Sequence, residues 1–129
     1  MLLQGVRVLV VEDILIAQKI ARLTLSGLGC IVDIAATGMQ GLKMAEETRY
    51  QLILMDLGLP DIDGIELTRM IRRSIKINYH VPIIALTATN HNDDKLACLE
   101  AGMDDFLLKP LTAENEQIIL AKFIKLAAS

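Results

Sequence analysis

Five short, almost wholly aliphatic runs recur along the chain, each separated from the next by a longer segment in which apolar residues return every three or four positions. Runs of this kind read as strands buried on both faces, the condition of a parallel sheet covered by helices rather than of a half-exposed antiparallel one. Strands are expected over 6–11, 30–35, 51–55, 82–86 and 104–108, and helices over 15–28, 38–48, 64–75, 92–101 and 112–126. The helix punctuation agrees. Thr37 followed by Gln40 forms a capping-box pattern, and Asp63 followed by Glu66 is its carboxylate variant. Gly29 and Gly102 stand where a left-handed terminating residue is expected, Arg72 and Arg73 where a helix C-terminus favours positive charge, and Asn90 or Asn92 is a cap for the fourth helix. Five alternating βα units predict an α/β fold of the doubly wound kind. A Rossmann-like strand order is the alternative, but five strands favour a flavodoxin-like (βα)5 sheet of order 2-1-3-4-5 with helices on both faces.

The chain has 129 residues, a length that suits a single domain able to bury its own core without staples. Although 53% of residues are hydrophobic, no apolar run approaches the roughly eighteen needed for a membrane helix, so a soluble chain is expected. A formal net charge of -3 lacks the basic excess of nucleic-acid-binding domains, and no direct contact with nucleic acid is expected. Cys30 and Cys98 lack metal-ligand spacing and read as free thiols in a reducing compartment. No signal-peptide pattern opens the sequence, so a cytoplasmic location is expected. His80 and His91 fall in connecting segments and are assigned no role.

In an open parallel sheet, ligands bind beyond the carboxyl ends of the strands, so the residue following each strand carries the chemistry. Strand one is followed by Glu12 and Asp13, strand three by Asp56, strand four by Thr87 and strand five by Lys109, whereas strand two ends in Ala35 and Ala36. The order 2-1-3 makes strands one and three neighbours and brings the three carboxylates into one pocket. Like charges that close are unfavourable unless a cation compensates them. Carboxylates without nearby His or Cys suit Mg2+, a hard ion that takes oxygen ligands and often shares them with phosphate. Singly, each residue has a plain structural explanation: acidic residues after strands cap helices, a lysine is a solvated charge, and a threonine ends a strand. Only their joint placement carries the functional reading.

The order and spacing of these residues resemble those of response-regulator receiver domains over essentially the whole chain. The motifs are V-L-V-V-E-D ending at Asp13, L-I-L-M-D ending at Asp56, L-P-D-I-D-G ending at Gly64, I-A-L-T-A ending at Ala88, and A-G-M-D-D-F-L-L-K-P ending at Pro110. The resemblance implies that Asp56 accepts a phosphoryl group from a histidine kinase or histidine phosphotransfer partner. It implies a magnesium site of Glu12, Asp13, Asp56 and the Gly58 carbonyl, and contact of Lys109 and Thr87 with the transferred phosphoryl group. It further implies a cis Lys109–Pro110 peptide bond, and a switch in which Thr87 and Phe106 reset the surface of helix four, strand five and helix five. L-T-A-T over 86–89 and A-G-M-D-D-F-L over 101–107 are similar to receivers of hybrid sensor histidine kinases, with a stand-alone response regulator as the alternative. Two positions depart from common usage: Gly58 stands where many receivers carry a larger side chain, and Ile14 where hybrid-kinase receivers often have asparagine.

Three rival readings fit less well. Asp61, Asp63 and Gly64 spell the D-x-D-G of haloacid-dehalogenase-like phosphatases, but that motif should follow a strand directly, and here it lies in a loop where turn and cap chemistry explains it. A flavin or nucleotide module would need a phosphate-cradling glycine loop after strand one, and none occurs. A receiver-like fold used only for protein contacts has no need of an intact Asp13, Asp56, Thr87 and Lys109. The cognate kinase, the output and the oligomeric state are not written in the sequence.

Overall fold

A computed structural model describes residues 4–74, 76–78, 80–88 and 92–124. In chain order the elements are β1 (Arg7–Val11), α1 (Leu15–Gly27), β2 (Ile31–Ala35), α2 (Gly38–Glu47), β3 (Leu52–Asp56), α3 (Gly64–Ser74), a 3-10 turn (Lys76–Asn78), β4 (Ile83–Thr87), α4 (Asn92–Ala101), β5 (Asp105–Leu108) and α5 (Ala113–Phe123). All ladders are parallel and the sheet order is β2-β1-β3-β4-β5, the flavodoxin-like arrangement expected from the sequence.

Successive strand side chains point to opposite faces, and this parity divides the core in two. Val8 and Val10 of β1, Leu52 and Leu54 of β3, and Ile84 and Leu86 of β4 pack with Ala21 and Leu25 of α1 and Ile119 and Leu120 of α5. Their odd or even neighbours Leu9, Val11, Ile53, Met55, Ile83 and Ala85 pack on the other face with Ala45 of α2, Leu67 and Ile71 of α3, and Cys98 of α4. The central strand β3 is buried at every position, whereas the edge strands β2 and β5 are partly exposed, as a doubly covered open sheet requires. Each fully buried Leu or Ile contributes roughly 1.5–3 kcal/mol.

Most caps form where the residue types predict. Thr37 Oγ1 accepts from Gln40 N at 3.1 Å, and Gly29 and Gly102 hold positive φ. One expectation needs correction. Asp63 Oδ1 accepts from Ile65 N at 2.8 Å, but Glu66 does not complete a box: its Oε1 pairs with Arg69 and its Oε2 with Arg73 along the helix surface. The Asn92 side chain, the other cap candidate for α4, lies outside what the structure describes. Asn90, His91 and the expected helix ends at Ile75 and Leu126 lie outside the described residues.

Two long-range polar links hold the layers in register. The buried Asn78 accepts from Tyr50 N at 2.9 Å and donates to Ala45 O at 2.6 Å and Thr48 O at 2.7 Å, joining the 3-10 turn to the end of α2 and the start of β3. Arg72 of α3 donates to Gly102 O and Val81 O and pairs with Asp104 at 3.0 Å, tying α3 to the segment between α4 and β5. Asn78→Ala would leave three main-chain groups without partners. An unsatisfied buried group costs about 1–3 kcal/mol, so we expect a loss of roughly 3 kcal/mol in urea unfolding at unchanged m-value. A loss below 1 kcal/mol would mean that water replaces the amide.

Candidate functional site

The parallel register that pairs Val11 with Met55 carries the next residues, Glu12 and Asp56, side by side at the carboxyl edge of the sheet. Asp13 follows as the chain turns into α1, and one carboxylate oxygen from each of Glu12, Asp13 and Asp56 lies within 4.8 Å of the others. The environments differ: Glu12 is 1% exposed and Asp56 7%, while Asp13 is open to solvent.

Lys109 enters from the far side of β4. Its backbone N donates to Thr87 O at 2.9 Å, which extends the β4–β5 ladder by one step, and its Nζ reaches Glu12 Oε1 at 2.7 Å and Asp56 Oδ1 at 3.3 Å. The Glu12 contact is the shorter of the two ion pairs. The Lys109–Pro110 peptide bond is cis. Burial pushes the Glu12 carboxyl above its ordinary value, more than Lys109 and the Ile14 N–H pull it down, and Asp56 adds to the rise. Burial also opposes the charge on Lys109, but Glu12 and Asp56 outweigh it and hold the ammonium above its ordinary value.

Backbone and second-layer contacts fix the loops around these groups. Gly58 N donates to Asp56 Oδ1 at 3.2 Å. Ile14 N donates to Glu12 Oε2 at 3.1 Å, and the Gln18 amide donates to Glu12 O at 2.7 Å, which stabilises the turn into α1 where Ile14 offers no side-chain cap. Gly64 packs so closely under β3 that a Cβ there would collide with Asp56 O. Asp61 faces away from the pocket: it accepts from Gly38 N at 2.8 Å and Met39 N at 2.9 Å, and these backbone donors hold its carboxyl below the ordinary value. Asp61 and Asp63 are therefore caps for α2 and α3, the turn-and-cap explanation of D-x-D-G, and the acidic cluster among the described residues is Glu12, Asp13 and Asp56.

Thr87 ends β4 beside Leu108, and Phe106 pairs in register with Ala85. The Phe106 ring is half-buried, with Lys95 Nζ of α4 5.6 Å from its centroid. Beside the pocket, an apolar groove of about 310 Å³ runs between the start of α1 and the segment after β5, lined by Ile14, Ala17, Ile20, Pro110 and Leu111 with Lys109 at one end. Ile14 and Ile16 are more than half exposed there. Sequence reasoning did not single out Gln18 or this groove. The signal for the groove was the unbroken apolar stretch Ile14–Ala17 at a helix start, where polar caps are usual.

At the carboxyl edge of this parallel five-stranded α/β sheet stand acidic residues after β1 and at the end of β3, a hydroxyl at the end of β4 and a lysine after β5, the arrangement that the sequence motifs predict. The family model for the response regulator receiver domain matches residues 8–121, and the chain belongs to that family. The aerobic respiration control sensor protein ArcB of Escherichia coli is 40% identical over 121 residues, covering 94% of this chain and 15% of ArcB. Transcription factor SKN7 of Saccharomyces cerevisiae is 34% identical over 122 residues, covering 95% of this chain and 19% of SKN7. Among solved structures, the receiver domain of sensor histidine kinase PA1611 from Pseudomonas aeruginosa, described with a magnesium ion in its active-site cleft, superposes with a TM-score of 0.85 at 42% identity, covering 93% of this chain and 98% of that one. The chain thus spans less than a fifth of the two curated relatives. It is a receiver domain of two-component signalling, and among the described residues no helix is long and apolar enough to cross a membrane.

Proposed function

We propose that Asp56 accepts a phosphoryl group from the phosphohistidine of a histidine kinase or histidine phosphotransfer domain, and that Glu12, Asp13, Asp56 and the Gly58 carbonyl hold the Mg2+ that this needs. One observation carries the reading: three carboxylate oxygens lie within 4.8 Å, and among the described residues the cation paired with them is the Lys109 ammonium, on Glu12 and Asp56, which leaves net negative charge and an all-oxygen donor set. Mg2+, when bound, would neutralise charge on the transferring group's oxygens.

The chain's own residues supply alignment and the remaining charge. Lys109 and the Gly58 N–H both engage Asp56 Oδ1, which leaves Oδ2 to attack phosphorus. As the Oδ2–P bond forms, the P–N bond to histidine breaks, its electron pair returns to the imidazole, and the product is an acyl phosphate. Lys109 then pairs with a phosphoryl oxygen, and the Thr87 hydroxyl donates to another. Movement of Thr87 draws Phe106 inward and shifts α4, β5 and α5, of which α4 buries Cys98 and Ala101 among its described side chains. The apolar groove beside Asp56 offers a partner a surface on which to bury side chains while presenting its histidine. Identity to ArcB favours a receiver that works within a hybrid sensor histidine kinase in the cytoplasm; a stand-alone regulator is the second reading.

Phosphoramidate carries the P–N bond of phosphohistidine without requiring the cognate kinase. Incubated with it and Mg2+, the protein should acquire a label that hydroxylamine removes, as it does from acyl phosphates, and chelation of Mg2+ should lower the rate at least about 10-fold. A label stable to hydroxylamine, or one indifferent to chelation, would overturn the assignment.

A further inference from the structure

Outside the acidic pocket, the seam between α1 and α5 contains a carboxyl group that the phosphorylation chemistry does not use. Glu116, in the first half of α5, is 1% exposed, and its Oε1 is fully buried without a partner. Its Oε2 lies 2.7 Å from Thr24 Oγ1 of α1. Thr24 Oγ1 also lies 2.8 Å from Ile20 O and 3.3 Å from Ala21 O, so one hydroxyl hydrogen faces three oxygens.

The two protonation states can be compared atom by atom. If Glu116 is ionised, Thr24 must turn its hydrogen to Oε2, and a full charge is left buried with one hydrogen bond and one bare oxygen. If Glu116 is protonated, Oε2–H donates to Thr24 Oγ1, the Thr24 hydroxyl donates to Ile20 O in the usual helical manner, and only a neutral carbonyl oxygen stays unpaired. The second arrangement uses every short contact and avoids the cost of a lone buried charge.

Among the described residues the neighbours offer no compensation. Just before β2 the facing titratable group is the Cys30 thiol, which burial and then Glu116 push upward. From α1 the group that meets Glu116 is the uncharged Thr24 hydroxyl. On α5 itself Lys122 is engaged with Asp105 of β5 at 2.7 Å, and among the described residues no ion pair reaches Glu116.

We propose that Glu116 is a neutral carboxylic acid whose proton clasps α5 to α1, and that loss of this proton loosens α5, which makes the seam a pH-sensitive device independent of Asp56. Burial raises the Glu116 carboxyl from 4.5 to about 7, against a smaller opposing effect of Thr24, so the transition falls near neutral pH. The direction follows from linkage. Below pH 4.5 both folded and unfolded chains are protonated at this site; between 4.5 and about 7 only the unfolded chain ionises, so stability falls as pH rises and levels off above 7. A difference of that size corresponds to a change of roughly 300-fold in the folding equilibrium across the window.

The test uses the whole chain. Urea unfolding of wild type and Glu116→Gln is compared from pH 4.5 to 8.5, because Glu12, also raised by burial, contributes slope of the same sign and only the difference isolates Glu116. The expected result is a wild-type excess loss on the order of 100-fold that Glu116→Gln removes. In parallel, the Glu116 side-chain carboxyl of 13C-labelled wild type is followed by NMR, with hydrogen exchange of α5 amides at pH 6 and 8.5. A carboxyl midpoint near 7 with faster α5 exchange at the higher pH supports the clasp. A midpoint near 4.5, equal pH slopes in the two proteins, or α5 exchange indifferent to pH would overturn it. The NMR titration needs no variant, so misfolding of Glu116→Gln cannot rescue the idea.

Discussion

Replacing Asp56 with asparagine should abolish phosphorylation by acetyl phosphate in the presence of Mg2+. The substitution is close to isosteric, and the amide can still accept from Gly58 N, so the β3 edge keeps its shape. What it removes is the nucleophile, because an amide oxygen does not form a stable bond to phosphorus under these conditions. Intact-mass measurement should therefore find one added phosphoryl group on the wild type and none on Asp56→Asn. Equal labelling of the two would take Asp56 out of the chemistry while leaving the fold and the family assignment untouched.

Lys109→Met should have two separable effects. The first is kinetic: with the ammonium gone, transfer to Asp56 should slow about 100-fold, the usual scale for loss of one group that meets developing charge. The second concerns the resting protein. Glu12 is nearly sealed and faces Asp56, so without Lys109 their mutual repulsion loses the ammonium that offsets it, and the Glu12 carboxyl moves further above its ordinary value. A carboxyl raised in the folded state contributes stability below its unfolded value that disappears as pH rises through the folded one. Metal-free Lys109→Met should accordingly melt close to wild type at pH 4.5 and lose about 1–2 kcal/mol relative to it at pH 8. Mg2+ should restore that loss and bind the variant more tightly than the wild type, because it no longer competes with a resident cation. Melting curves at the two pH values with and without Mg2+ check this, and a variant that Mg2+ does not stabilise would contradict the shared-charge description of the pocket.

Much of this architecture was legible because it depends on local pattern. Runs such as 52–55 are apolar at both parities, as a doubly covered parallel strand requires, and the strand order then dictates which strand ends meet. The observed ladders sit about one residue further along than expected: Asp56 and Thr87 belong to β3 and β4, because ladder hydrogen bonds are made by backbone and ignore the polarity that marked the end of the run. Asn78 and Arg72 were not foreseeable. Most of their partners lie about 30 residues away in sequence, and a lone asparagine or arginine near a helix end has ordinary local explanations. Glu116 did leave a trace. It falls on the helical stripe of Ile119, Leu120 and Phe123, where a charged residue breaks the apolar pattern, and that misfit was the available signal of a buried acid.

The strand order has a further consequence for how competence is acquired. Glu12 follows β1, Asp56 ends β3, Thr87 ends β4 and Lys109 follows β5, so the pocket is assembled from segments almost 100 residues apart and no two of these four residues are neighbours in sequence. A nascent or nicked chain lacking β5 would carry the nucleophile but not its counter-charge. The ability to be charged with phosphate therefore reports that the whole sheet has closed, and a half-made domain stays silent instead of signalling in error.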